Sequence, residues 1–124
     1  MPVRSLNSSV MGWPNRDQVE AALRRWVGQI TQPPTSLQAV GYFGSYARNE
    51  AGVGSDLDLV IIVDHSDAPP YMRSHRWNLH HLPVPTEAIV YTQAEWQHLQ
   101  QSQSRFAQTL ATETIWVFPE GVDE

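Results

Sequence analysis

Two aspartates, Asp56 and Asp58, open the apolar, β-branched run Leu57–Val63. A one-sided strand would alternate apolar with polar residues, so this run predicts a strand covered on both faces and central in a sheet. Side chains alternate along a strand, which places Asp56, Asp58, Val60 and Ile62 on one face and Leu57, Leu59, Ile61 and Val63 on the other. Two carboxylates one pleat apart, roughly 6–7 Å between Cα atoms, repel each other and raise one proton affinity unless a cation lies between them. A divalent metal resolves that conflict. Mg²⁺ suits oxygen ligands and completes its shell with water and substrate phosphates.

Phosphates need a cradle, and the segment before the aspartates supplies a candidate. Val40–Gly44 followed by Ser45-Tyr46-Ala47-Arg48 predicts a strand that breaks sharply into a short helical turn, with Gly44 as the hinge. Glycine lets the backbone approach an anion closely, and the first N–H groups of a helix point at it. The Ser45 hydroxyl adds a donor, and Arg48 offers a bidentate contact.

Together these residues resemble the minimal nucleotidyltransferases of the polymerase-β-like superfamily, whose signature is Gly-Ser, ten residues, then Asp-x-Asp. Here Gly44-Ser45 is followed by the ten residues Tyr46–Ser55 and then Asp56-Leu57-Asp58. Ala47-Arg48 and Ser55 also match the family's usual wording. Asn49 stands where a glycine is common, and Asn tolerates left-handed backbone angles better than most residues. A third acidic residue, usually aspartate, enters in this family on the strand after the Asp-x-Asp strand. Glu87, near the start of Pro85–Thr92, holds that place, with an exposed strand-end glutamate as the alternative reading.

The elements that must position these groups are short. At 124 residues the chain has room for one domain, spanning 1–124, with one core. Arg16–Ile30 predicts an amphipathic helix through Val19, Leu23, Trp26, Val27 and Ile30, stopped by Pro33-Pro34, with Arg24 and Arg25 on its solvated edge. Met1–Gly12 has no period and is expected to be a loose arm. Leu37–Phe43 is the first strand, paired with Leu57–Val63. Asp64, His65 and Asp67 sit in ordinary turn chemistry before Pro69-Pro70. Tyr71–His81 predicts a helix with Met72, His75 and Leu79 inward, and the adjacent His80 and His81 make a poor zinc site on one helix. In Pro85–Thr92, Glu87, Ile89 and Tyr91 share a face. Thr92 and Glu95 form a capping box, opening a long helix through Trp96, Leu99, Phe106 and Leu110 that ends near Thr112, with Gln103 interrupting its apolar seam. Thr114–Phe118 is a closing edge strand that a second copy of the chain could pair with. The expected class is α/β (α+β), a mixed sheet of about four strands flanked by helices.

Composition narrows the chemistry. A net charge of −5 argues against an extended nucleic-acid surface. All eight basic residues are Arg, so no lysine chemistry is available and any phosphate clamp uses Arg or backbone. The absence of Cys excludes disulfides and thiolate catalysis. No apolar run long enough to span a membrane and no secretory pattern occurs, so cytoplasmic residence is the expectation.

The resemblance implies transfer of a nucleoside monophosphate from a triphosphate, ATP by preference, to a hydroxyl acceptor. Asp56, Asp58 and Glu87 would hold two Mg²⁺ ions, with Mn²⁺ as an alternative, and Glu87 would also serve the acceptor's proton. Gly44, Ser45 and Arg48 would hold phosphates. Tyr42, Tyr46 and Tyr91 are candidates to stack on the base, with core packing as the alternative. Larger relatives that modify aminoglycosides line the acceptor site with a further helical domain. Minimal members are often paired with a helical HEPN-type protein as antitoxin and toxin, which makes such a partner the expected acceptor. A second reading, of another class, is a binding module or antitoxin that acts on a helical partner by contact, with an inert cluster.

Overall fold

A computed structural model of the chain describes residues 13–30 and 37–119; the expected N-terminal arm, the Pro33-Pro34 stop and the acidic tail lie outside them. The order is helix α1 (Arg16–Ile30), strands β1 (Leu37–Phe43) and β2 (Leu57–Val63), two 3-10 helices (Pro70–Arg76 and Leu79–His81), strand β3 (Thr86–Thr92), helices α2 (Gln93–Ser102) and α3 (Arg105–Glu113), and strand β4 (Ile115–Phe118). The sheet runs β3-β2-β1-β4. β1 is antiparallel to both β2 and β4, while β2 and β3 are parallel. This is the small α+β arrangement with a four-stranded mixed sheet that the sequence predicts.

β2 is interior and almost wholly buried because it has no polar face beyond Asp58. Leu57, Leu59, Ile61 and Val63 join Val19, Leu23, Trp26 and Val27 of α1 in the principal core. At roughly 1.5–3 kcal/mol for each large apolar side chain removed from water, this face supplies much of the drive to fold. α1 starts where Asn15 and Gln18 satisfy each other's backbone N–H, both at 2.9 Å, a reciprocal cap. Trp26 ties it to the connector before β3 by donating from Nε1 to the Asn78 carbonyl at 2.9 Å. Arg24 pairs with Glu20 one turn back, as a solvated helix edge would.

The other face of the sheet is covered by α2 and α3. Trp96 contacts Tyr91 at 5.9 Å and Trp116 at 5.6 Å between ring centroids, and Phe43 meets Phe106 at 6.1 Å. Gly41 must be glycine here, since a Cβ would lie 2.6 Å from Thr114 Cγ2 and 2.8 Å from Trp116 Cε3.

Two elements differ from the sequence reading. Instead of one long helix, the chain breaks at Gln103, which adopts a left-handed conformation with φ 57°. The reason is local: Ser104 caps a new helix by accepting from the Ala107 N–H at 3.1 Å, and a capping serine competes with helix continuation. The break turns α3 so that Leu110 is buried and Glu113 ends near β1.

The second difference lies at Tyr71–His81, where two 3-10 helices replace the predicted amphipathic helix. Met72 is exposed, and the residue facing inward is Arg73, only 6% exposed; the His75 side chain lies outside the described set. Arg73 donates from Nε to the Ala68 carbonyl at 2.9 Å, from Nη1 to the Val90 carbonyl at 3.2 Å and from Nη2 to Glu95 at 3.1 Å. A guanidinium whose three nitrogens are all hydrogen-bonded takes the position in place of a thioether, because it pairs with two carbonyls and a carboxylate there. Glu95 thereby joins the connector to the capping box of α2, which forms as expected with Thr92.

The Arg73 hydrogen bonds hold the Glu95 carboxyl below its usual range, with burial opposing them. A depressed carboxyl contributes stability that is present above its ordinary value of 4.5 and lost as pH falls through the folded value. Arg73→Met should therefore lower the urea-unfolding free energy by about 2 kcal/mol at neutral pH, with the wild-type advantage shrinking below pH ~4. A variant as stable as wild type at pH 7 would show that this pair is not a structural tie.

Candidate active site

β1 ends at Phe43 and the backbone turns at Gly44, whose φ is +79°. The next residues form a single helical turn, closed by the Arg48 N–H on the Gly44 carbonyl at 3.0 Å and the Glu50 N–H on the Ser45 carbonyl at 2.8 Å. This is the short helical turn that the sequence predicts. Asn49 takes a left-handed φ of 60°, the conformation the sequence requires of a glycine substitute there. Tyr46 pins the turn from beneath. It is 1% exposed, and its hydroxyl donates to the Pro14 carbonyl at 3.3 Å and accepts from Trp13 Nε1 at 3.1 Å.

Register then brings the carboxylates to this turn. Asp58 is flanked by Phe43 on β1 and by Glu87 on β3. Paired residues of adjacent strands project to the same side, so Asp58 and Glu87 share a face about 4.8 Å apart at the backbone. Asp56 and Glu87 are exposed and Asp58 is half-buried. A Cβ at position 44 would collide with Asp58 Oδ2, so Gly44 provides both the bend and the space for that carboxylate. The Ser45 hydroxyl has no hydrogen-bond partner among the described residues.

The electrostatics agree. Burial pushes the Asp58 carboxyl above its usual range, and the charges of Glu87 and Asp56 push it further, while Arg48 opposes them. Glu113 adds to the same excess of negative charge. An all-oxygen donor set with surplus negative charge fits a hard divalent cation. The carboxylates are side by side rather than converged, and among the described residues no three acidic or histidine side chains meet at one point.

Arg48 is already engaged. Its Nε lies 2.9 Å from Glu50 and its Nη1 2.6 Å from Glu113, which keep the guanidinium firmly charged. Glu113 also accepts the Gly44 N–H at 3.4 Å. Sequence reasoning missed Glu113. The signal was its position: an acidic residue ending a helix with no basic residue in its last turn opposes the macrodipole and needs another partner. Tyr42 and Tyr46 are core residues rather than exposed stacking surfaces. Burial and the bond to Glu20 push the Tyr42 phenol up to about 12. Beyond Glu87 an open groove of about 1000 Å³ runs past Trp13, Trp77, His80 and Val84.

A four-stranded mixed sheet with a glycine turn beside acidic residues on two adjacent strands defines a nucleotidyltransferase-like domain. The comparisons agree: residues 25–112 match the nucleotidyltransferase domain family, and the chain belongs to that family, within the polymerase-β-like superfamily. Among solved structures it is similar to a Sulfolobus solfataricus protein provisionally named a nucleotidyltransferase, with TM-score 0.56, 14% identity, and 88% of this chain and 86% of that chain covered. It is also similar to a toxin–antitoxin solved with AMP-PNP, with TM-score 0.53, 14% identity and coverages of 84% and 76%. A mutant of the toxin–antitoxin MntA-HpeT, in which two aspartates two positions apart are changed to glutamate, gives TM-score 0.52, 13% identity and coverages of 84% and 75%. No curated protein sequence matches. Among the described residues no helix is long and apolar enough to cross a membrane.

Asp58 carries its charge against burial and three like neighbours, so its ionised form destabilises the fold. A raised carboxyl releases that cost as pH falls through its folded value. Asp58→Asn should raise the thermal midpoint at pH 7 and leave it unchanged near pH ~3, where both forms are neutral. A variant less stable at pH 7 would contradict this picture of the site.

Proposed function

We propose that the protein transfers a nucleoside monophosphate, AMP from ATP, to a hydroxyl acceptor. The reading rests chiefly on one observation: the pairing of Asp58 with Glu87 directly beside the Gly44 turn. Family membership supports the reaction class. The toxin–antitoxin relative solved with AMP-PNP supports an adenine nucleotide. The mutated aspartates in the MntA-HpeT structure share the two-residue spacing of Asp56 and Asp58.

The chemistry follows from the layout. Gly44 and the Ser45 hydroxyl hold the β- and γ-phosphates, and Arg48 adds charge on the same side. Asp56, Asp58 and Glu87 would hold divalent ions, whose charge would neutralise the triphosphate and favour the ionised acceptor. Gly44 follows β1 and Glu87 lies on β3, on opposite sides of Asp58 on β2. An acceptor would approach the α-phosphorus from the Glu87 side, opposite the leaving pyrophosphate. Glu87 takes the hydroxyl proton, the new O–P bond forms, and the α–β bridging bond breaks. Positioning and electrostatics supply most of the acceleration, with no covalent enzyme intermediate.

The acceptor is a hydroxyl on a helical, HEPN-type partner protein, consistent with the toxin–antitoxin relatives. A second reading, contact neutralisation by an inert domain, draws on the spread of the carboxylates and the glutamate at position 87.

Incubation with Mg²⁺, labelled ATP and the neighbouring-gene product separates the two. Label should pass to the partner, and Asp58→Asn should reduce transfer by about a thousand-fold or more. Partner neutralisation that survives Asp58→Asn, with no label in either case, would establish the contact reading instead.

A further inference from the structure

Glu113 has no place in the proposed reaction, yet its carboxylate lies on the groups assigned to phosphate. One oxygen accepts the Gly44 N–H at 3.4 Å and the other accepts from Arg48 Nη1 at 2.6 Å. A backbone N–H at a glycine bend together with a guanidinium is the donor pair expected for two phosphate oxygens. Glu113 therefore satisfies the cradle as an anionic ligand would. Its side chain is 14% exposed, so it is packed into this position rather than resting over it.

Other forces act against Glu113 being there. It is the last residue of α3, where the helix presents its negative end. Its charge also adds to the repulsion felt by Asp58. The two donors hold it, and a ligand offering more negative charge together with its own cations can replace it.

We propose that Glu113 is an internal counter-anion that occupies the β/γ-phosphate cradle and must be displaced by any polyphosphate that binds there. The inference rests on the assignment of Gly44, Ser45 and Arg48 to phosphate. Ligands that reach the cradle must displace the carboxylate, so they bind more weakly than the bare donors allow. A metal-charged triphosphate overcomes this through several oxygens. A nucleoside monophosphate has no phosphate to place there, so its affinity is independent of Glu113. If Glu113 instead only braces the turn against α3, its removal loosens the cradle and weakens triphosphate binding, the opposite sign.

Calorimetric titration of Mg-ATP, Mg-tripolyphosphate and AMP into the full chain distinguishes these outcomes, with wild type compared against Glu113→Gln and Glu113→Asp. The aspartate variant is the safeguard if the amide variant fails to fold, because it keeps the charge while its shorter arm cannot span both donors. For Glu113→Gln, Kd for both polyphosphates should fall by about ten-fold, as expected on weakening a charged hydrogen bond that competes with the ligand. Glu113→Asp should show a smaller fall, and Kd for AMP should stay within about two-fold. Unchanged or weaker polyphosphate binding, or equal tightening of AMP, overturns the inference while leaving the phosphate cradle standing. Failure of Mg-ATP to bind wild type and both variants overturns the cradle assignment and the inference with it.

Discussion

The structure depends on confining like charges. Asp58 is held half-buried on an interior strand, with Glu87 beside it in register and Gly44 leaving it room on the other side. A carboxylate in that setting is pushed toward protonation by burial and by its neighbours. Nothing in the packing of the core calls for such a charge. Val60 and Ile62, on the same face of β2, are buried in the way an apolar residue at position 58 would be. An arrangement that opposes folding locally and is supported by the strongest strand of the sheet has the form of a functional site.

The rest of the fold can be understood as the support this confinement requires. β2 is buried on both faces, so its register with β1 and β3 is fixed: a slip of one residue would move Asp58 into the core of α1. Tyr46 and Trp13 hold the glycine turn from below. Arg73 fastens the irregular connector to β3 and α2, which fixes the strand that carries Glu87.

Much of this was legible in the sequence, because the informative features are local. The interval from Gly44-Ser45 to Asp56-x-Asp58 and the alternation of Glu87 with Ile89 and Tyr91 depend on strand geometry alone, and β-sheet registry carried them into space. The Thr92–Glu95 cap was equally local. What was hidden depends mostly on contacts distant in the chain, with the Ser104 cap a local exception. Apolar spacing in Tyr71–His81 favoured Met72 as an inward residue, and only the Ala68 and Val90 carbonyls explain why Arg73 takes that position. Gln103 marked an interruption in the apolar seam, but the Ser104 cap is what breaks the helix. Glu113 meets Gly44 across 69 residues of chain, and no periodicity links the two.

The central claim is that Asp56, Asp58 and Glu87 form one cation-binding cluster facing a phosphate cradle at Gly44-Ser45. A crystal soaked with Mn²⁺ and a non-hydrolysable ATP analogue, measured at the manganese edge, tests it most directly. The account predicts anomalous density bridging Asp56 and Asp58, with Glu87 drawn toward it and the triphosphate against Gly44. Manganese bound elsewhere, or a triphosphate lying away from the glycine turn with Asp58 unliganded, would contradict it.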